Sequence, residues 1–237
     1  MPLDSVCIML IDMIYVTGDV HGNIDFEKLY TLQDYNVTYK DTLIILGDAG
    51  ICWSKYQDEI VQNLYKKIHI TVIFVDGNHE NFDTLNSFPI VNYKGAKMHQ
   101  ISKHIYHVLR GEIMELEGFT FLCIGGACST DKAFRKEGVS WWKDEEITQA
   151  DVDNALENLK RYDFKVDCVL SHCVDSFTLQ KYTTYETDVS TDMLNFVDEQ
   201  VTYRYWFYGH YHDDRSVGSN KYCFYESIII LNTILEK

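Results

Sequence analysis

Proline is scarce in this chain of 237 residues, where only Pro2 and Pro89 occur. Two prolines so far apart provide no proline-rich linker, and the length suits one large α/β domain better than two small ones. No long uninterrupted apolar run is present, and residues 1–12 contain neither Lys nor Arg. The sequence therefore predicts neither a membrane-spanning segment nor a secretory signal peptide.

Positive charge is also in short supply. Lys and Arg number 21 against 36 Asp and Glu, which gives a formal net charge of -15 at pH 7. Because proteins bind long nucleic acids chiefly by neutralising phosphates with Lys and Arg, this balance argues against a long duplex as the partner. A small phosphate compound is still a possible substrate if metal ions supply the positive charge.

Closely spaced cysteine pairs are missing, because the seven cysteines contain no CxxC motif. An odd and scattered set indicates buried or free thiols in a reducing compartment rather than a disulfide framework. We therefore expect a cytoplasmic protein without a membrane partner.

Hydrophobic residues make up 46% of the chain, which is enough for a full core. In the first half, β-rich runs at residues 13–17, 42–46 and 71–75 alternate with helical patterns at residues 25–33 and 57–67. This βαβαβ order predicts a parallel sheet with crossover helices. Residues 1–12 precede the first strand, so we interpret them as an N-terminal extension to a single domain covering residues 13–237.

The second half continues with short strands and one long helix. The helix is predicted over residues 148–161, where Thr148 and Asp151 have the spacing of a capping box. A glycine-containing turn near Gly218 predicts a hairpin close to the end of the chain. The strands are predicted at residues 105–109, 112–116, 120–124, 166–171, 205–208, 215–217, 222–225 and 226–231.

Polar side chains follow five of the predicted strands, at the point where each strand ends. In open α/β sheets ligands gather beyond the carboxyl ends of strands, so these side chains are expected to share one cleft. Carboxylates, imidazoles and an amide without any thiolate suit Mn²⁺, Fe or Zn²⁺ and argue against a structural zinc site. The five clusters are Asp19-Val20-His21, Gly47-Asp48, Gly77-Asn78-His79-Glu80, Ser171-His172 and Gly209-His210-Tyr211-His212.

In this order, and with these glycines, the clusters resemble the calcineurin-like metallophosphoesterase superfamily. Narrower matches to its bacterial and phage-type members are the segments Gly77–Phe82 and Gly125–Arg135 and the pair Trp141-Trp142. The pattern of that superfamily is DxH, GD, GNH(D/E), an isolated H and GHxH, and all five blocks are present between Asp19 and His212. The resemblance implies an α/β fold in which two mixed β-sheets form a sandwich flanked by helices.

The resemblance also implies a centre of two divalent metal ions, with Mn²⁺ the first expectation and Fe, Zn²⁺ or Ni²⁺ as alternatives. A hydroxide that bridges the two ions would attack phosphorus, and His79 would protonate the leaving group as general acid. The implied ligands are Asp19, His21 and His212 for the first ion, Asn78, His172 and His210 for the second, and Asp48 shared between them.

One departure separates the chain from the protein Ser/Thr phosphatases. These enzymes extend the GD block to GDxVDRG, and the later Asp orients the catalytic histidine. Here the block reads Gly47-Asp48-Ala49-Gly50-Ile51, with Ile51 in the place of that Asp. The resemblance therefore excludes this subfamily and does not say what orients His79.

A short basic segment follows the glycine pair Gly125-Gly126. Lys132 and Arg135 are the candidate substrate-binding residues, and the aromatic residues among them, such as Trp142, suit stacking on a base. The alternative interpretation is a solvated loop whose tryptophans pack inward.

The sequence therefore predicts a phosphodiesterase or phosphatase acting on small nucleotides or nucleic-acid ends. Two alternatives remain open at this point. One is a nuclease acting on single-stranded nucleic acid, and the other is a non-catalytic metal-binding module of the same fold. The complete set of metal-ligand motifs favours an enzyme over the non-catalytic module.

Overall fold

The structure, a computed structural model, describes residues 12–236. The predicted extension, residues 1–12, lies almost entirely outside the described residues and stays a prediction. The described strands form two sheets. They are β1 (Ile14–Thr17), β2 (Thr42–Leu46), β3 (Thr71–Val75), β4 (Ile90–Tyr93), β5 (Ala96–Ser102), β6 (Ile105–Val108), β7 (Glu112–Leu116), β8 (Phe119–Ile124), β9 (Cys168–Ser171), β10 (Tyr205–Tyr208), β11 (Arg215–Val217), β12 (Lys221–Cys223) and β13 (Ile229–Ile230).

The first sheet has the strand order β13-β1-β2-β3-β6-β5-β4, and the second has the order β11-β12-β10-β9-β8-β7. Both sheets are mixed, with parallel centres and antiparallel edges. In the first, β1, β2, β3 and β6 run parallel. In the second, β8, β9, β10 and β12 do so.

Helices cover the outer faces of the two sheets. A 3₁₀ helix (Phe26–Tyr35) and α1 (Lys55–Ile68) connect the first three strands. The remaining α-helices are α2 (Phe82–Leu85), α3 (Gln149–Leu159), α4 (Ser176–Tyr182), α5 (Val189–Asp198) and α6 (Asn232–Leu235). Short 3₁₀ turns occur at Lys132–Phe134, Lys143–Glu145 and Lys160–Tyr162.

The layers explain why the central strands are continuously apolar. Along β2, Leu43 and Ile45 pack towards the helices, while Ile44 and Leu46 pack towards the second sheet. Successive side chains of a strand point to opposite faces, so a strand covered on both faces needs no polar alternation. The result is a sandwich of helices, sheet, sheet and helices with three layers of core.

This architecture confirms the predicted fold class. The capping box of α3 is present, with the side chain of Thr148 accepting from the backbone N–H of Asp151. The last strand is shorter than predicted, because the carboxylate of Asp214 accepts the backbone N–H groups of residues 225–227 and turns the chain there.

Two further observations concern the chemistry of the chain. Six cysteines lie in the described part, and each is free and buried, as the sequence indicates. Among residues 12–236, none of the helices is long and apolar enough to span a membrane.

Candidate metal centre

The carboxyl ends of the parallel strands from both sheets meet at one edge of the sandwich. Asp19 and Asp48 follow β1 and β2 in the first sheet, whereas His172 follows β9 in the second. Oδ2 of Asp48 lies 3.3 Å from Nε2 of His21 and 3.4 Å from Nε2 of His172. Asp48 thus sits between histidines that come from different sheets.

The other predicted ligands surround this pair of contacts. Nε2 of His212 lies 3.2 Å from Oδ2 of Asp19. Nε2 of His172 lies 3.1 Å from Oδ1 of Asn78, and the ring centroid of His210 lies 4.9 Å from that of His172. The structure therefore brings all seven predicted ligands into one cluster.

Four of these residues have a left-handed backbone. The φ angles are 47° for His21, 49° for Asp48, 67° for His210 and 46° for His212. This region is disfavoured for residues with a Cβ atom, and such strain concentrates at functional sites. A sharp turn directly after each strand lets the following side chain point back across the sheet edge.

Two motif glycines make room for these side chains. A Cβ on Gly47, which has a φ of +91°, would lie 2.1 Å from Nδ1 of His172. A Cβ on Gly77 would lie 2.0 Å from Oδ1 of Asp48. Each glycine therefore accommodates a ligand carried by a different strand, and this explains why glycine precedes the ligand in these blocks.

In two of the predicted ligand histidines, Nδ1, the ring nitrogen that faces away from the centre, makes a hydrogen bond. Nδ1 of His172 lies 2.7 Å from the carbonyl oxygen of Leu46, and Nδ1 of His21 lies 2.7 Å from Oδ2 of Asp25. Both partners are acceptors, so each Nδ1 carries a hydrogen and Nε2 is the nitrogen that faces the centre and would bind a metal ion. Metal-bound histidines commonly have such outer contacts. Sequence reasoning missed Asp25, although its position four residues after His21 was visible.

Asn78 is held from behind by another side chain. Its Nδ2 donates to Oγ of Ser129 over 3.1 Å, and that hydroxyl donates to Oε2 of Glu145 over 2.8 Å. This chain of bonds fixes which end of the amide faces His172, and that end is the oxygen. Neither Ser129 nor Glu145 was predicted from the sequence, because Ser129 is 51 residues from Asn78 and Glu145 is 16 residues from Ser129.

Asp19 and His212, two predicted ligands of the first ion, are also held by neighbouring residues. Nζ of Lys28 donates to the backbone carbonyl of Asp19 over 2.5 Å and to that of Tyr225. The ring of Tyr225 stacks on His212, with 4.5 Å between centroids and 10° between planes. Neither contact could be read from the sequence, because the partners are remote along the chain.

The two carboxylates give the centre a strongly negative field. Burial alone would lower the pKa of His172, but the charges of Asp48 and Asp19 raise it to about 10. Burial likewise opposes the protonation of His21, yet its bond to Asp48 raises the pKa to about 9. The field therefore attracts protons and, in their place, metal cations.

His210 is the exception among these rings. Burial lowers its pKa to about 4, and the positive charge of His172 contributes to the same shift. Neutral imidazole is the form that binds a metal ion. His210 is therefore ready to act as a ligand without losing a proton.

Metal ligation fits an unsatisfied atom in this cluster. Oδ2 of Asp19 is buried and accepts no hydrogen bond, although Nε2 of His212 lies 3.2 Å away. A buried carboxylate oxygen without a donor is costly, and a cation at this position would satisfy it. The nitrogen and oxygen donors suit a divalent ion of the Mn, Fe or Zn type.

His79 lies beside the cluster and meets the guanidinium of Arg135. Nη2 of Arg135 is 3.1 Å from Nε2 of His79, and Nη1 is 3.4 Å from Nδ1. Nε of Arg135 is 2.7 Å from Oδ1 of Asp131, so the guanidinium is anchored on its other side. Burial lowers the pKa of His79 and the charge of Arg135 lowers it further, whereas Asp48 opposes the shift.

The other candidates in the basic segment lie differently. Nζ of Lys132 is 3.1 Å from Oε1 of Glu146 and 5.8 Å from the centre of the Trp141 ring, so its contacts are with its own segment. Trp142 is buried, with Nε1 donating to Asp83 over 2.8 Å. The base-stacking interpretation of Trp142 is therefore wrong, because the ring packs inward.

A polar network borders the centre behind β3. Asp76 accepts from Arg110, with Nε 2.9 Å from Oδ2, and Nε2 of His107 lies 3.1 Å from its Oδ1. A cavity of about 440 Å³ opens beside Arg110. Since Arg110 also pairs with Asp151 at 3.4 Å, its charge is already matched.

Comparison with solved structures shows several proteins with a similar fold. The protein TT1561 of Thermus thermophilus aligns with a TM-score of 0.52 and 11% identity over 91% of this chain and 88% of its own. Sulfate thiohydrolase SoxB of Thermus thermophilus has a TM-score of 0.47 and 12% identity, covering 91% of this chain and 51% of its own. Phosphopantetheinyl hydrolase PptH of Mycobacterium tuberculosis has a TM-score of 0.47 and 14% identity, covering 91% and 88%.

These identities are low, and the first alignment supports the fold alone. No curated protein sequence matches the chain. The calcineurin-like phosphoesterase family profile, by contrast, matches residues 13–214, which is most of the chain and contains every predicted ligand. The chain therefore belongs to the calcineurin-like phosphoesterase family and is a metal-dependent phosphoesterase.

Proposed function

We propose that this protein hydrolyses phosphate esters at a centre of two divalent ions. The observation that carries the proposal is the position of Asp48, whose Oδ2 is almost equally distant from His21 at 3.3 Å and His172 at 3.4 Å. One carboxylate oxygen between two sets of ligands is the arrangement that a shared ligand requires. Asp19, His21 and His212 would hold one ion, and Asn78, His172 and His210 the other.

Mn²⁺ is the proposed ion, with Fe, Zn²⁺ or Ni²⁺ as alternatives, because the donors are nitrogen and oxygen atoms without sulfur. When bound, the two ions would activate a water molecule and neutralise the phosphoryl oxygens. The protein has 36 acidic against 21 basic residues and would otherwise repel such a substrate. The ions thus explain how an acidic protein handles phosphate.

His79 is the proposed proton donor to the leaving group. Its ring centroid lies 5.4 Å from that of His21, beside the proposed first ion, and its backbone N–H donates to Oδ1 of Asp48 over 2.7 Å. The lowered pKa means that the free site holds mainly neutral imidazole. A phosphate group bound nearby brings negative charge, which favours the protonated, donating form.

Arg135 is the proposed substrate-binding residue beside His79. Its two terminal nitrogens face the imidazole, and a guanidinium can grip two phosphate oxygens at once. Lys132 is retained as a secondary contact, since its side chain is about half exposed beside Glu146. Both cations would act on phosphate groups beyond the one that is cleaved.

The proposed substrates are small nucleotides or nucleic-acid ends, cleaved as diesters or monoesters. Hydrolysis of bis-p-nitrophenyl phosphate and p-nitrophenyl phosphate by the Mn²⁺-loaded protein tests the proposal. We expect turnover of at least one ester, and its loss on removal of the metal by a chelator. Binding of two ions without turnover of either ester would favour a non-catalytic module instead.

A further inference from the structure

A small cavity opens directly beside the proposed proton donor. It has a volume of about 190 Å³ and is lined by His21, Ile24, Gly50, Trp53 and His79. Two of these residues belong to the metal and proton-transfer machinery, whereas the other three contribute apolar surface. The cavity therefore adjoins the residue proposed to protonate the leaving group.

Ile24 adds an apolar side chain to the lining of the cavity. This side chain is 73% exposed at the rim. The backbone N–H of Ile24 donates to the carbonyl of His21 over 3.2 Å, so the residue is fixed beside a ligand. An apolar group bound in the cavity would remove this surface from water.

Trp53 forms the opposite wall and is held in place before any ligand arrives. Its backbone N–H donates to Asp58 over 2.6 Å, and its carbonyl accepts from Asn81 over 3.1 Å. The indole packs edge-on against Trp142, with 5.9 Å between ring centroids. A rigid aromatic wall offers a stacking surface at little entropic cost.

The size and charge of the cavity limit what it can hold. A cavity of about 150 Å³ accommodates benzene, so one of about 190 Å³ accommodates a single somewhat larger ring system. Among the described residues, no carboxylate and no lysine line it. Arg135 stands behind His79 and disfavours a cationic group.

We propose that this cavity binds the nucleobase of a small nucleotide, stacked on Trp53 and covered by Ile24, during hydrolysis of its phosphate ester. Nucleobases are flat and uncharged, and they stack on aromatic side chains whatever their sequence. The inference rests on the proposed function, since it assigns the part of the substrate that lies beyond the scissile bond.

Two ligands with the same phosphorylated sugar test the assignment. The ligands are adenosine monophosphate and ribose phosphate, substituted at the same hydroxyl. They are titrated by calorimetry as analogues in which a CH₂ group replaces the ester oxygen, so that the Mn²⁺-loaded protein cannot cleave them. Stacking of the base makes adenosine monophosphate bind about tenfold more tightly. Phenyl phosphate serves as a third ligand, because its ring lies directly on the phosphate.

Three variants test whether the cavity causes the difference in affinity between the two ligands. Ile24→Ala removes exposed surface and leaves the fold intact, and Trp53→Leu removes the stacking face. Trp53→Leu should bring the affinity ratio of the two ligands close to one, and Ile24→Ala should lower it. Phe177→Ala, which removes a side chain 56% exposed on α4, is the matched control and should retain the wild-type ratio.

Equal affinity of the wild-type protein for the two sugar phosphates would overturn the proposal. Tight binding of phenyl phosphate together with such equality would assign the cavity to an aryl ester instead. A ratio unchanged by either cavity variant would also overturn it. Binding is measured apart from turnover, so a protein that discriminates the base but hydrolyses no ester would contradict the proposed function alone.

Discussion

Asp25 shows how much of this centre depends on single residues outside the family motifs. Its Oδ2 lies 2.7 Å from Nδ1 of His21, which leaves Nε2 directed at Asp48. Without this carboxylate the ring would be free to rotate or to change its tautomer. The contact is therefore part of the proposed metal site although Asp25 touches no ion.

We predict that Asp25→Ala weakens the binding of Mn²⁺ by roughly 10–100-fold, as is typical when the outer partner of a ligand histidine is removed. Calorimetric titration with Mn²⁺ measures the effect. Asp153→Ala is the matched control, because Asp153 is an exposed carboxylate on α3. Identical metal affinities for the two variants would show that Asp25 does not support His21.

We predict that His79→Ala retains both ions and loses most of its activity on esters with poor leaving groups. Proton donation contributes about 10²–10⁴-fold to such reactions and much less when the leaving group is an activated nitrophenolate. The check compares kcat/KM for an alkyl and a nitrophenyl ester, with metal content measured in parallel. Equal losses on the two esters would assign His79 to phosphate positioning.

At the scale of elements, the glycines after β2 and β3 leave space for a proposed metal ligand that follows a different strand. The position of Gly77 after β3 is an example, since its Cα faces the Asp48 carboxylate that follows β2. The two strands pair in parallel from Thr42↔Thr71 to Leu46↔Val75, so their ends are level. A side chain at this glycine would push the shared ligand out of place.

We therefore predict that Gly77→Ala binds fewer than two ions per chain while remaining folded. The added Cβ would lie 2.0 Å from Oδ1 and 2.5 Å from the backbone nitrogen of Asp48. Gly138→Ala provides the comparison for metal content, because a Cβ there meets nothing within 4 Å and the strain of its φ of +71° falls on a residue that contacts no ligand. Elemental analysis gives the metal content, and a full complement in Gly77→Ala would refute the steric argument.

The strands of the parallel centres were predictable because each is a short apolar run ended by a polar motif. β2 and β3 coincide with the predicted residues 42–46 and 71–75. The antiparallel pair β4 and β5 was missed. β4 alternates between exposed and half-buried residues, so it lacks the continuous apolar run that marked the other strands.

The helices α4 and α5 were missed for a different reason. They begin with Asp175 and Asp188, whose side chains accept from the backbone three residues later, but each helix is short and only one face is apolar. Their stability comes from packing on the second sheet and on α3 rather than from local sequence. Such packing cannot be read from a single segment.

The same division holds for the site. The seven predicted ligands belong to compact motifs at strand ends, and the resemblance of these motifs to the family was what suggested them. Apart from the contact of Asp25 with His21, the contacts that support them join distant segments: Asn78 meets Ser129 across 51 residues, and Lys28, which also holds Asp19, meets Tyr225 across 197. Only the folded chain reveals pairs of this kind.

At the scale of the whole molecule, a buried pair of histidines on β5 and β6 continues the polar network of Asp76 and Arg110 behind the metal centre. Nδ1 of His99 on β5 lies 3.1 Å from Nδ1 of His107 on β6, and His107 continues to Asp76. Burial lowers the pKa of His99 to about 4, and the charge of His107 contributes to the shift. This pair should make the fold sensitive to acid.

Because the pKa of His99 is lower in the folded protein than in the unfolded chain, acid destabilises the fold. In the unfolded chain His99 titrates near 6.5, so between this pH and about 4 the unfolded state binds more protons. The stabilisation is present above pH 6.5 and is lost as the pH falls towards 4. We predict that the free energy of unfolding falls on the order of 1–3 kcal/mol across this range because of His99.

Urea unfolding at neutral and acid pH checks this prediction on the metal-free protein. His99→Gln should show a shallower decline with acid than the wild type, whereas His69→Gln, at an exposed position, should follow the wild type. If His99→Gln and the wild type decline in parallel, the acid sensitivity resides elsewhere.

The central claim is that two ions share Asp48. Anomalous scattering from crystals grown with Mn²⁺, recorded at the manganese edge, tests it most directly. The account predicts two manganese peaks per chain, one beside Asp19, His21 and His212 and one beside Asn78, His172 and His210, with the carboxylate of Asp48 between them. A single peak, or two peaks of which either lacks Asp48 as a ligand, would contradict it.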